Sequence, residues 1–217
     1  MNIYQLFDRE SVLPNSFVAD TWDLKGCRPE ASFNGEKILN DYCNVEDIAA
    51  VEREFSIGNK FLNWPNNVWF GASNQEMDGD LDDFIINNTM APLITRRLSE
   101  MLKSLNLPEH QMLPVEVVWH NGRRERAFIL NFIRLVPGLD IGKTKVVSWY
   151  PETWPNLTER GKIRSMLKPT LISKNIDGYD LFRCQEFPYR LFGSEKLKES
   201  FNHSGMTGVY FDPVRLS

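Results

Sequence analysis

The dipeptide Asn121-Gly122 constrains the fold of this 217-residue chain more than any other feature. Both central positions of a tight type I′ turn need positive φ, and Asn-Gly supplies it at little steric cost. Before it, residues 114–120 (PVEVVWH) alternate apolar and polar side chains. After it, residues 126–136 (RAFILNFIRLV) are rich in β-branched and aromatic types. Together they predict an antiparallel hairpin whose returning strand ends at Pro137-Gly138. Residues 143–150 (KTKVVSWY) read as a third strand, which predicts a meander with one buried face.

Helix signals flank this region. Leu98, Met101, Leu102 and Leu105 recur at i, i+3, i+4 and i+7, one face of a 3.6-residue period. Thr95 stands where an N-cap hydroxyl belongs, and Pro108 is expected to stop the helix. A second helix is predicted after Ser194, with Leu197 and Phe201 on its apolar side and Gly205 at its end. Short strands are expected over 2–7, 67–72, 170–172, 181–184, 189–192 and 209–211, the last closed by Pro213. Residues 47–55 fit either a short helix or a strand, and 151–168 read as a polar loop with one helical turn.

The two helical regions echo each other. Shifted by 99 residues, Thr95 falls on Ser194, Leu98 on Leu197, Leu102 on Phe201, Met112 on Phe211, and Pro114-Val115 on Pro213-Val214. Each unit reads as strand, hydroxyl-capped helix, loop, strand, Pro-Val. The expected fold is α+β: mostly antiparallel sheet with a few packed helices, in one unit over 1–217, with related strand-helix-strand lobes at 1–115 and 116–217.

Composition sets the outer bounds. Hydrophobic residues make up 42% and charged residues 25%, the balance of an ordinary globular chain. A net charge of −4 argues against direct contact with nucleic acid, whose phosphates call for a basic face. Cys27, Cys43 and Cys184 form no CxxC pair, so they read as buried free thiols in a reducing cytosol. Asp8, Arg9 and Glu10 interrupt the opening apolar residues, unlike a secretory signal, and no apolar run approaches a membrane span. The expected location is the cytoplasm.

Catalytic and metal motifs find no support. His110 is placed in a loop, His120 beside the turn and His203 near a helix end, all as surface or capping residues. Gly193-Ser194 lacks the full nucleophile elbow. The run Asp78, Asp80, Asp82, Asp83 resembles the start of a calcium loop, but Asp83 stands where that loop needs Gly and Thr89 where it needs Glu. It reads instead as an acidic loop before a helical turn, or as a contact patch for a basic partner. No phosphate-binding glycine loop is present, so no cofactor is expected. Asp140 follows a strand exit and reads as an Asx-turn acceptor. Trp149, Tyr150 and Trp154 sit among prolines, and such residues either cover cores or anchor interfaces.

Three stretches carry a family resemblance: AFILNFIRLVPGLD over 127–140, YDLFR over 179–183 leading to LFGSEKL over 191–197, and GVYFDP over 208–213. In this order they resemble immunity protein family eleven of bacterial toxin systems, while the first 80 residues match only loosely. Gly193 and Lys143-Thr144 depart from its pattern. The resemblance implies a cytoplasmic protein that binds and neutralises a cognate toxin domain, often a nuclease, with no catalytic centre of its own. The residues singled out as its contacts are Asp78, Asp80, Asp82, Asp83, Trp149, Tyr150 and Trp154. A homodimer, a scaffold, and a hydrolase using Asp140, His120 or Ser194 are the alternatives.

Overall fold

The computed structural model describes residues 1–8, 23–25, 32–33, 36–37, 54–64, 68–71, 81–85, 91–118, 122–155, 157 and 159–217. In the first half of the chain the strands are β1 (Ile3–Asp8), β2 (Asp23–Lys25), β3 (Ser32–Phe33), β4 (Glu36–Lys37), β5 (Phe61–Asn63), β6 (Trp69–Gly71), β7 (Phe84–Ile85) and β8 (Leu93–Thr95). Helix α1 (Arg96–Leu102) leads to β9 (His110–Val118), β10 (Arg124–Phe132), β11 (Lys145–Trp149), β12 (Ile163–Lys168) and β13 (Thr170–Leu171). The chain ends with α2 (Ser173–Ile176), β14 (Leu181–Cys184), β15 (Phe187–Ser194), α3 (Glu195–His203) and β16 (Val209–Leu216). Most strand pairs are antiparallel, and none of the described helices is long and apolar enough to cross a membrane.

The two large sheets have the same plan. Their strand orders are β2-β6-β9-β10-β8-β7 and, in matching order, β13-β16-β1-β15-β14. The pair β6–β9 is parallel, as is β13–β16, and the other pairs within these two sheets are antiparallel. Registers also correspond. Ala127 lies opposite Thr95 and Val115, and Ile3 lies opposite Ser194 and Val214. Phe128 lies opposite Ile94 and Pro114, and Tyr4 opposite Gly193 and Pro213. An isolated bridge, Leu139 to Leu171, even supplies the counterpart of Leu24 on Phe70. The 99-residue echo is therefore a repeat of pairing geometry.

The central strand of the second sheet is β1, so the start of the chain closes a sheet built by its end. The expected lobe boundary at 115/116 lies inside β9. A core cluster joins the two sheets: Leu6, Leu181, Leu191, Leu197 and Phe201 pack with Phe84, Ile94, Leu98, Leu102 and Leu130. Burying several such side chains, each contributing about 1.5–3 kcal/mol, holds the halves together.

Several local expectations need correction. The hairpin pairs Val118 with Arg124, leaving five residues between them. A two-residue turn at 121–122 would have paired 118 with 125, so the loop is an odd-numbered one, with Gly122 at φ 82. The meander does not form, because β8 occupies the other edge of β10. Strand β11 pairs instead with β12, within residues expected to be a loop. Helix α1 ends at Leu102, well before Pro108, and His110 begins β9 and is not in a loop. Strand β16 continues through Pro213 to Leu216. A strand proline needs a side with no ladder bond. Both Pro114 and Pro213 have one, since the outer ladders start only at Glu116 and Arg215.

Candidate interaction surface

The acidic run divides. Asp78 and Asp80 lie outside the described residues, and Asp82 is half-buried. Asp83 is only 4% exposed. Its carboxylate accepts hydrogen bonds from Thr95 Oγ1 at 2.6 Å, from the Thr207 amide at 3.1 Å and from Nε and Nη2 of Arg97. Thr95 in turn caps α1 by accepting from the Leu98 amide at 3.3 Å. Burial pushes the Asp83 carboxyl up, but the bonds from Arg97, Thr95 and Thr207 outweigh it and hold the group below its ordinary range. Asp83 thus braces the interior and shows a partner almost no charge.

The second unit repeats this brace. Asp180 accepts from Ser194 Oγ at 2.8 Å, from the Asn106 amide at 2.9 Å and from Lys196 Nζ at 3.2 Å. Ser194 caps α3 through the Leu197 amide at 3.2 Å. The arrangement is reciprocal: Thr207 follows α3 and binds the first unit's Asp83, whereas Asn106 follows α1 and binds the second unit's Asp180. Sequence reasoning found both caps but missed Asp180. The signal was there: each aspartate lies one residue ahead of the strand that pairs with the capped one, at Phe84–Ile94 and Leu181–Gly193.

The aromatic residues gather on the ribbon β11–β12. This ribbon is inserted between Leu139 and Leu171, the joint where the first unit, between Leu24 and Phe70, carries the sheet β4-β3-β5. Exposure alternates along β11. Val146 packs with Ile163 and Met166 in a core cluster, while Val147 (58% exposed) and Trp149 (47%) face solvent. On β12, Leu167 is likewise exposed, at 62%. Exposed apolar side chains clustered on one ribbon mark an interaction surface better than scattered ones do.

Tyr150 and Trp154 pack on each other just past the end of β11. Their rings are 5.2 Å apart, and the Arg164 guanidinium lies 5.8 Å and 5.5 Å from the two ring centres. Trp154 Nε1 donates to Glu159 at 2.8 Å, Arg160 Nε donates to the Trp154 carbonyl at 2.7 Å, and Tyr189 donates to Glu159 at 3.0 Å. Burial, followed by the Glu159 carboxylate, pushes the Tyr189 hydroxyl up, so it stays a donor. The structure thus brings Trp149, Tyr150 and Trp154 into one region. Sequence reasoning missed Arg164 and Leu167 because it did not read 163–168 as a strand, and missed Val147 because it expected 143–150 to pack in the meander with one buried face.

The residues weighed for catalysis have other partners. Ser194 is bound by the brace, and the Asp140 carboxylate accepts from the Lys143 amide at 3.2 Å. His110 Nδ1 lies 2.8 Å from the Pro108 carbonyl, His203 ends α3, and His120 lies outside the described residues. Among the described residues, no three His, Cys, Asp or Glu side chains are placed to hold a metal ion.

A search of curated proteins returns no match. A family model described as "Immunity protein family (Imm11)" matches residues 27–215. That span covers nearly the whole chain, including the capped helices, the bracing aspartates and the ribbon. On this match the chain belongs to the Immunity protein family (Imm11).

Proposed function

We propose that this protein neutralises a cognate bacterial toxin domain by stoichiometric binding in the cytoplasm of the cell that makes both. The observation that carries the reading is the family match over residues 27–215. The structure adds support: beside two packed sheets stands a ribbon with exposed Val147, Trp149 and Leu167, and a Trp among apolar neighbours is the kind of anchor around which specific interfaces form. Binding would suffice, since a blocked toxin needs no bond made or broken. Trp149 is the central contact, with Tyr150 and Trp154 next to it. Asp78, Asp80 and Asp82 form a second, separately testable contact.

The test is co-expression with the toxin domain encoded beside this chain. Restored growth and a one-to-one complex by light scattering are the expected results. Continued toxicity, or rescue without a complex, would reject the proposal.

A further inference from the structure

The ribbon differs in charge from the rest of the chain. Residues 143–168 carry six basic side chains (Lys143, Lys145, Arg160, Lys162, Arg164, Lys168) and two acidic ones (Glu152, Glu159). That is a net +4 in a chain whose total is −4. Lys145, Lys162, Arg164 and Lys168 are all exposed, in the same two strands and their connection as Val147, Trp149 and Leu167. An apolar centre with a cationic rim is the layout of a charge-steered protein interface. We infer that the outward face of β11–β12 is the toxin-docking face, and that it fits an acidic surface of the toxin domain with a recess for the Trp149 indole. This rests on the neutralising function proposed above and gives the sign of charge that the toxin must present.

Other occupants fit less well. A second copy of this chain would set +4 against +4, and like charges face to face repel. A phosphate backbone would use the cations but leave Val147 and Leu167 without apolar partners. Arg164, held over Tyr150 and Trp154, is fixed in place as part of the rim.

The experiment measures association and dissociation rates between the full-length protein and the toxin domain encoded beside it. Trp149→Ala should weaken binding about 30-fold or more, mainly through faster dissociation. Lys145→Glu/Lys168→Glu should slow association about tenfold at low salt, with the effect fading as salt rises. Lys174→Glu on α2 is the control and should change neither rate. All these positions are exposed, so unchanged circular dichroism and melting temperature are expected. If the natural protein binds and the ribbon variants bind equally well, the docking face is elsewhere and the neutralising function stands. Faster association of the double Glu variant would mean a basic toxin surface and would overturn the inference. If the natural protein fails to bind, both fall. Ribbon-dependent binding to a 20-base-pair duplex or to anionic phospholipid vesicles, with no ribbon effect on the toxin domain, would also overturn it.

Discussion

Removing one bracing carboxylate should destabilise the whole protein, because each brace ties the two repeated units together. In Asp83→Ala, the part-buried Thr207 amide loses its acceptor, which costs about 1–2 kcal/mol, since a fully buried amide would cost up to about 3. The Thr95 hydroxyl loses its 2.6 Å acceptor, for about 1 kcal/mol more. The Arg97 ion pair adds less, about 0–1 kcal/mol, because its guanidinium side is 56% exposed. The sum is about 3 kcal/mol. Asp180→Ala should cost a similar amount, since Asn106, Ser194 and Lys196 fill the same roles. Urea unfolding followed by circular dichroism would measure this as a midpoint shift of about 1 M with an unchanged slope. A loss below about 1 kcal/mol for both variants would refute the brace.

The same groups set an acid limit. Both carboxyls are held below the ordinary aspartate value of 3.8 despite burial. A lowered value means stability that is fully present above the unfolded value, about pH 4, and lost as pH falls through the folded values. Asp83→Asn should flatten the stability–pH curve in that acidic window and leave its slope near neutrality unchanged. Gly208→Ala should cost about 3 kcal/mol or more by urea unfolding, because a Cβ there would meet the Phe84 carbonyl at 2.0 Å and φ is +100. Cys184 is buried and its thiol is pushed up by burial, so in a Cys27→Ser/Cys43→Ser background a thiol reagent should react only as urea unfolds the chain. Charge reversal at Asp80 and Asp82 should weaken toxin binding if that loop is the second contact; unchanged affinity would remove it from the interface.

Local chemistry was legible in the sequence wherever it depends on neighbours along the chain. The Thr95 and Ser194 caps, the apolar face of α1 and the strand Leu181–Cys184 all rest on spacing that one element contains within itself. Only the tertiary structure decided which edges meet. Strand β1 reads the same whether it stands alone or completes a sheet with β15 and β16. Asp83 reads as a solvated charge until Arg97 and Thr207 close over it. Trp149 is a candidate from the sequence, but whether it covers the core or meets solvent is decided only when β11 pairs with β12 and turns Val146 inward. Periodicity determines which face of a strand is apolar; partners distant in sequence determine whether that face, or that charge, reaches water.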